Sequence, residues 1–297
     1  PEHAKEVAEE IGMLLRSTGN ARRGIGTIRQ DVNVSIQGGA RVEVKGFQDV
    51  KNIDTLIENE VRRQKNLIEL GEELEKDEVL ADNVTHIFEE TENQIISTVL
   101  ENNGAVYAFK LPQLDGKLKQ KISGERYLAL ELVDYAKSRG IQGIIHTDED
   151  KDYGIKDELE KIKDVFKVGE DDAVAILAGP KDKAKQAGKA VRDRANQLYT
   201  GTIPEETRNA EQNFTTSYSR PLPGSARMYP ETDIPPIKIP DQKIKEIEED
   251  IPETLDQREG QYAGEIGDEL ASQMINSHYL EEFEEYRQQA GSKLTSN

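Results

Sequence analysis

Polar side chains alternate with aliphatic ones along two consecutive predicted strands, residues 29–35 and 41–45. Because strand side chains point to opposite faces in turn, each strand presents one row of polar groups. The chemically capable members of these rows are a guanidinium, two carboxylates, an amide and an ammonium group: Arg29, Asp31, Asn33, Glu43 and Lys45. Carboxylates and waters suit magnesium, and cations suit phosphate, so this set favours a metal-bound nucleotide.

The Gly38-Gly39 pair between the strands predicts a hairpin, and its loop length decides whether the two rows meet. A two-residue loop puts the rows on opposite faces of the sheet. A three-residue loop pairs Glu43 with Ser35 or with Asn33 and puts both rows on one face. We predict the three-residue loop. The alternative is an ordinary hairpin whose charged face meets only solvent.

The two strands have the sequences R-Q-D-V-N-V-S and R-V-E-V-K. They resemble the signature of the GatB/GatE family of tRNA-dependent amidotransferase subunits, in which R-x-D-V-N-x-S is followed by R-V-E-[IV]-K. A second stretch that resembles this family, R-P-L-P-G-S-A-R-M-Y-P-E-T-D-I-P-P, covers residues 220–236. Two long motifs in the family's order make the resemblance specific.

The resemblance, taken with the inserted unit described below, implies the archaeal E-type branch, which converts Glu-tRNA(Gln) into Gln-tRNA(Gln) with ATP and Mg²⁺. A GatD-type amidase subunit frees ammonia from an amide donor such as glutamine, in a GatDE heterotetramer. The E-type subunit phosphorylates the misacylated glutamate, and ammonia displaces the phosphate. We therefore expect a carbon–nitrogen ligase whose partners are a GatD-type subunit and Glu-tRNA(Gln).

The resemblance also implies roles for the residues of the two strands. Asp31 and Glu43 would be metal ligands, directly or through water, and Asn33 would orient a phosphate or a metal-bound water. Lys45 and Arg29 would supply positive charge. The family's other metal-binding acids and its histidine would precede residue 1, so we expect a fragment that is inactive alone.

Four further residues are predicted to bind ATP or phosphate. Gly24 and Gly26 would let the backbone approach closely, although G-I-G-T is neither a Rossmann fingerprint nor a P-loop. Arg227 and Glu231 lie among prolines that fix an extended backbone, and they could orient phosphates or the acyl end of a tRNA. The alternative for this segment is a rigid connector with a surface salt bridge.

Composition limits the class of protein. The 297 residues include no cysteine, which excludes disulfides and thiolate metal sites. No apolar run approaches the roughly 20 residues that a membrane helix needs, so we expect a soluble, cytoplasmic protein without a membrane partner. The net charge of −19 argues against nucleic-acid binding in general. However, residues 241–297 hold 15 acidic and five basic residues, so over half of that excess is local.

One predicted helix, residues 181–198, is basic in its first part. Between positions 181 and 194 it carries six lysines and arginines against two aspartates. A helix of this kind could follow a phosphate backbone, and the predicted tRNA contacts are Lys181, Lys185, Lys189 and Arg192. The alternative is a solvated helix face, because no aromatic side chain is interleaved for stacking.

The order of predicted elements indicates an α+β protein. We predict a GatB/GatE-type cradle domain, an antiparallel sheet with helices, over residues 1–90 and 201–240. An α/β unit over 91–200 has G-I-Q-G-I-I at residues 140–145 and a lysine-rich helix from residue 181, and it resembles the inserted GAD domain. The start of a helical bundle follows over 241–297. Two alternatives remain: a non-catalytic tRNA-binding or assembly module, and an aspartyl-tRNA synthetase fragment. The class II motifs of such a synthetase are not found in the sequence.

Hydrophobic periodicity predicts the individual elements. A helix over 2–18 should end at a Gly19 cap, and a helix over 53–74 should turn Glu60 and Arg63 toward solvent. Other segments predicted in the same way are a strand over 84–89, a helix over 125–138, and acidic helices whose core includes Leu270, Met274 and Leu280.

Overall fold

The computed structural model describes residues 1–18, 20–22, 24, 26–151, 153–222, 237–249, 251 and 253–290. These residues belong to two compact units, one described up to residue 222 and one from residue 237. The predicted α+β class is confirmed. The predicted cap at Gly19 lies outside the described residues.

The described strands of the first unit form two four-stranded sheets and one two-stranded sheet. In chain order the strands are β1 (Val32–Val34), β2 (Val42–Lys45), β3 (Leu80–Asn83), β4 (Gly104–Leu111), β5 (Lys121–Ser123), β6 (Arg126–Tyr127), β7 (Ile145–His146), β8 (Ala173–Pro180), β9 (Glu206–Ala210) and β10 (Thr216–Pro221).

The helices of both units, in chain order, are α1 (Glu2–Ser17), α2 (Ile53–Glu73), α3 (Gln94–Glu101), α4 (Ala129–Lys137), α5 (Lys156–Phe166), α6 (Lys181–Leu198), α7 (Asp241–Glu248), α8 (Leu255–Ile266), α9 (Asp268–Ile275) and α10 (Leu280–Ala290). None of these helices is long and apolar enough to cross a membrane.

The first sheet joins two distant parts of the chain in the order β1-β2-β9-β10. The β1–β2 and β9–β10 pairs are antiparallel, whereas β2 and β9 pair in parallel. The valines of β1 and β2 are buried in the same core as Leu56 and Leu67 of α2. The sheet is therefore complete only when the chain returns after more than 150 residues.

The second sheet, β3-β4-β8-β7, is antiparallel throughout and is covered on both faces. Along β4, Ala105 and Phe109 belong to the core that contains α4 and α6. Val106 and Ala108 belong to a second core with residues of α3 and α5. The period-two alternation of a strand thus divides its side chains between two helix layers.

Two element predictions are wrong. The strand predicted over 84–89 is a 3₁₀ turn, Thr85–Phe88, and the real strand ends at Asn83. The Asn83 Oδ1 atom accepts hydrogen bonds from the Thr85 backbone N–H at 3.0 Å and hydroxyl at 2.6 Å, and this local turn replaces the ladder. The helix predicted from residue 125 begins at Ala129, because Arg126–Tyr127 pairs with β5.

Helix α2 differs from its prediction in the face that it buries. Glu60 and Arg63, predicted to face solvent, are at most 1% exposed. The Arg63 Nη2 atom lies 2.8 Å from Glu60 Oε1, so the two charges enter the interior as a pair. Burial of a charged side chain is tolerated when it is paired in this way.

The described residues of the second unit form helices, as predicted. Its buried side chains include Tyr262, whose ring packs against Phe283 with centroids 5.1 Å apart. The Arg287 guanidinium pairs with Glu265 at 2.6 Å. The prediction that Leu270 is a core residue is wrong, since 48% of its surface is exposed.

Candidate functional site

The β1–β2 hairpin has the register that brings its polar rows together. Asn33 pairs with Glu43, and the flanking pairs are Val32 with Val44 and Val34 with Val42. The valines are buried and the polar residues face outward. The prediction that the polar rows share one face is confirmed for Asn33, Glu43 and Lys45, and Asp31 joins them through its contact with Lys45. β1 is shorter than the predicted strand 29–35, so Arg29 and Asp31 precede it, and the connection to β2 is longer than the predicted three residues.

Lys45 lies at the centre of the outward face. Its Nζ atom is 2.8 Å from Asp31 Oδ2 and 3.1 Å from Glu43 Oε1. The Lys45 side chain is 37% exposed, so the cluster is open to a ligand. The hydrogen bond to Asp31 and then the one to Glu43 raise the pKa of Lys45 above its usual value, which keeps the ammonium charged.

A threonine that the sequence analysis did not select completes this cluster. The Thr207 hydroxyl donates a 3.0 Å hydrogen bond to Glu43 Oε2, across the parallel pairing of β2 with β9. Thr207 is 1% exposed. The carboxylate of Glu43 thus has one oxygen held by an ammonium and the other by a hydroxyl, which fixes its orientation.

The predicted Arg29 and glycines lie on the loop before β1. The Arg29 Nε atom donates to the Gly26 carbonyl at 3.1 Å, so this contact folds the loop on itself. Gly24 and Gly26 have φ angles of 122° and 81°, which side-chain-bearing residues rarely adopt. A Cβ atom on Gly26 would lie 3.3 Å from the side-chain amide nitrogen of Gln48, so the loop contacts the Gln48 side chain. Arg227 and Glu231 lie outside the described residues.

Helix α6 has the predicted bounds and exposes most of the predicted basic residues. Lys181, Lys185 and Lys189 are exposed, and the Arg192 side chain is 42% exposed and pairs with Asp193 at 3.2 Å. Arg194, counted with the other bases in the sequence, is 1% exposed and does not belong to this surface.

Arg194 instead belongs to a buried ionic network beneath the first sheet. The network joins arginines and acids from α2, β6, α4, α6 and β9: Arg63, Arg126, Arg194, Arg208, Glu60, Glu131, Asp134 and Glu206. Glu131 is its centre. The carboxylate of Glu131 lies 3.0 Å from Arg63, 3.2 Å from Arg194 and 2.9 Å from Arg208.

Burial and the neighbouring charges together determine the pKa values of the acids in this network. Burial alone would raise the pKa of Glu131, but the charges of Arg208, Arg63 and other arginines hold it well below its usual value. Burial raises the pKa of Asp134, which Arg126 only partly offsets. Sequence reasoning missed this network, because charged residues are ordinarily expected to face solvent.

A cavity of about 500 Å³ lies elsewhere in the first unit. Its lining is mainly apolar and includes Leu118, Tyr127 and His146. It shares no lining residue with the cluster around Lys45, which lies on the open face of the first sheet.

The cluster has a donor set that fits a nucleotide-bound magnesium ion. No group of three or more acidic, histidine or cysteine side chains in the described residues is arranged to hold a metal by itself. Magnesium bound to a nucleotide commonly takes only one or two carboxylates, with phosphates and waters completing its shell. Asp31 and Glu43 could supply those two carboxylates, with Lys45 beside them.

The fold and the cluster occur in a region that matches a known catalytic domain. The model of the GatB/GatE catalytic domain matches residues 1–245. The chain therefore belongs to the GatB/GatE family.

Individual relatives extend over nearly the whole chain. The E subunit of the glutamyl-tRNA(Gln) amidotransferase of Methanopyrus kandleri is 42% identical over 302 residues, covering 98% of this chain and 47% of the relative. The protein of the same name from Haloarcula marismortui is 46% identical, with 92% and 44% covered. That of Pyrococcus furiosus is 43% identical, with 96% and 47% covered. The chain thus spans just under half the length of these curated relatives.

Proposed function

We propose that this chain activates a carboxylate within an ATP-dependent tRNA amidotransferase, converting Glu-tRNA(Gln) into Gln-tRNA(Gln). The observation that carries the proposal is the contact of Lys45 with both Asp31 and Glu43 on an open sheet face. Family membership and the names of the relatives support it. The substrates would be ATP and the misacylated tRNA.

The reaction needs activation because a free carboxylate resists attack by an amine. Its leaving group would be oxide, whereas an acyl phosphate loses phosphate readily. A carboxylate oxygen of the tRNA-bound glutamate attacks the γ-phosphorus of ATP, and ADP leaves. Ammonia then attacks the carbonyl carbon, phosphate leaves, and a proton is lost from nitrogen. A GatD-type amidase subunit, in a heterotetramer, would supply the ammonia from glutamine.

Each residue predicted from the two polar rows has a proposed role in this scheme. Asp31 and Glu43 would hold a magnesium ion, which would neutralise phosphate charge. Lys45 and Arg29 would stabilise charge that develops on the transferred phosphoryl group, and Asn33 would orient a phosphate or a water. Phosphate contacts at Gly24, Gly26, Arg227 and Glu231 remain predictions.

We also propose that residues 1–90 and 201–240 form one cradle domain, interrupted by a GAD-like unit over 91–200 and followed by a helical domain. Support comes from the first sheet, whose strands β1 and β2 precede the interruption while β9 and β10 follow it. The proposed location is the cytoplasm, where aminoacyl-tRNA is used.

The decisive experiment measures ATP-dependent formation of glutamyl phosphate on misacylated tRNA. It uses the full-length protein together with its amidase partner. Asp31→Ala and Glu43→Ala should each reduce the rate by about 100-fold or more, since each removes a ligand that acts in the transition state. Glu72→Ala, an exposed carboxylate on α2, serves as the control. Normal turnover in both cluster variants would contradict the proposal.

One observation favours a second candidate, a non-catalytic tRNA-binding or assembly module. The lysines of α6 form an exposed basic face on the unit proposed as the insert. Such a module would bind tRNA without binding ATP in the presence of magnesium. An equilibrium titration with each ligand therefore separates the two candidates.

A further inference from the structure

Strand β10 contains a bulge next to the candidate site. Tyr218 pairs with Arg208, but the next pair along the strand is Arg220 with Thr207. Ser219 is therefore an extra residue, opposed by no residue of β9. The bulge lies on the edge strand of the first sheet, since the strand order ends at β10.

The bulge decides which side chain shares the outer face. In an unbroken register Ser219 would oppose Thr207, and Arg220 would point to the buried face with Glu206 and Arg208. Because a slip of one residue exchanges the two faces of a strand, the extra residue brings Arg220 onto the face of Thr207 instead. Arg220 is indeed exposed, whereas Arg208 is fully buried.

A single row of paired residues then crosses the whole sheet. It consists of Asn33, Glu43, Thr207 and Arg220, one residue from each of the four strands. Neighbouring strands are about 4.8 Å apart, so Arg220 lies roughly 10 Å from Glu43 along this row. A ligand that carries several phosphate groups could span that distance.

The two cations on this face, Lys45 and Arg220, differ in whether a carboxylate already pairs with them. The Lys45 ammonium is shared by two carboxylates, Asp31 and Glu43. Arg220 forms no ion pair with any residue that the structure describes. A guanidinium offers a planar pair of donors that matches the oxygens of a phosphate group.

We propose that Arg220 binds a phosphate group of the substrate on this face. The inference rests on the proposed function and adds to it a substrate-binding residue. The phosphate could belong to ATP or to the backbone of the tRNA, because both present the same oxygens. The bulge places Arg220 on the sheet face that carries Glu43 and Thr207, and this placement distinguishes it from a general surface charge.

The test measures binding rather than turnover. Dissociation constants for ATP and for uncharged tRNA are determined with the full-length protein and with its Arg220→Gln variant. One of the two constants should rise by about 10- to 100-fold, as expected for loss of a charge-assisted hydrogen-bonding pair. The ligand whose constant rises identifies the source of the phosphate.

Two matched variants separate position from charge. Arg62→Gln removes the same charge from an exposed position on α2 and should change either constant by less than about twofold. The exchange variant, Ser219→Arg with Arg220→Ser, keeps the net charge but moves the guanidinium to the bulge position. It should bind as weakly as Arg220→Gln.

Each of four results would overturn the inference. Both constants could stay within about twofold of the wild-type values in Arg220→Gln, the exchange variant could restore binding, or Arg62→Gln could weaken it equally. Wild-type protein that binds neither ligand would also overturn it. Failure of the proposed function is distinct, because it appears as a wild-type protein that binds ATP or tRNA but forms no glutamyl phosphate.

Discussion

Glu43 is held by two partners of different chemistry, an ammonium from its own strand and a hydroxyl from the neighbouring strand. An ammonium attracts a carboxylate from many directions, whereas a single hydroxyl donor selects one orientation. Thr207 therefore acts as a positioning residue for Glu43 within the proposed site. Its contribution depends on the hydroxyl and not on its volume.

Replacing Thr207 tests that role. Thr207→Val keeps the shape and removes the donor, so the magnesium concentration for half-maximal glutamyl phosphate formation should rise by about 10-fold, as for a lost hydrogen bond to a charged group. Thr207→Ser keeps the donor and should stay near the wild-type value. Equal behaviour of the two variants would show that only packing matters at this position.

The two polar rows were predictable from sequence because each alternates with buried valines, so period two separates the faces. Thr207 was not, because its strand has the sequence E-T-R-N-A, in which charged and polar residues occupy both faces. Glu206 and Arg208 are buried there as members of the ionic network. Composition alone cannot tell a solvated charge from one that is paired inside.

Helix α2 packs against the turn that follows α6 at two glycines, Gly71 and Gly201. A Cβ atom on Gly71 would lie 2.0 Å from the backbone nitrogen of Gly201, and Gly201 itself has a φ of 61°. The contact brings backbone against backbone, so no side chain can move to make room. Hydrophobic periodicity carries no signal for such a contact.

Gly71→Ala should therefore lower the free energy of unfolding by about 1–3 kcal/mol, the usual cost of overpacking. Gly12→Ala is the matched control, because a Cβ atom at that helical position meets no atom within 4 Å. It should raise the free energy of unfolding by about 0.5–1 kcal/mol. Urea unfolding midpoints of the two variants should move in opposite directions. A Gly71→Ala midpoint equal to or above that of the wild type would contradict the close contact between Gly71 and Gly201.

The buried network ties α2, α4, α6 and β9 together through Glu131. Removing one partner of a buried ionic group leaves the others unpaired, so Glu131→Gln should lower the free energy of unfolding at pH 7 by about 3–5 kcal/mol. Glu58→Gln, on the exposed side of α2, should change it by less than about 0.5 kcal/mol. Urea titrations of the three proteins measure these differences.

The same variant has a defined dependence on pH. The pKa of Glu131 is lower in the folded protein than its usual value near 4.5, so its ionised form stabilises the fold above that value. This stabilisation is lost as the pH falls from 4.5 through the folded pKa. The difference in unfolding free energy between wild type and Glu131→Gln should therefore shrink below pH 4.5. A difference that stays constant down to pH 3 would argue against ionised Glu131 in the network.

For the whole molecule, the site depends on chain segments that are far apart in sequence. Asp31 immediately precedes β1, Glu43 and Lys45 lie on β2, and Thr207 and Arg220 lie on β9 and β10. The ionic network fixes the underside of β9 against α2 and α4. The segment between the two parts of the sheet is thus connected to the site through buried charge as well as through the chain itself.

The net charge of the chain limits where a tRNA could bind. A chain with net charge −19 repels a polyanion at long range, so tRNA binding requires a local positive surface. Lys181, Lys185 and Lys189 are exposed on one helix and could form such a surface. Each phosphate contact releases counterions, so the slope of log K against log salt concentration measures the number of phosphate contacts.

Replacing these three lysines together by glutamine should weaken tRNA binding and reduce the slope of log K against log salt concentration by about 2 to 3. The control replaces Lys65, Lys137 and Lys161, which are exposed on three other helices and change the net charge equally. If the lysines of α6 contact the phosphate backbone and the scattered lysines do not, the control variant should keep the wild-type slope. Equal slopes for both triple variants would mean that α6 does not contact the phosphate backbone, and that the lysine surface serves only solvation.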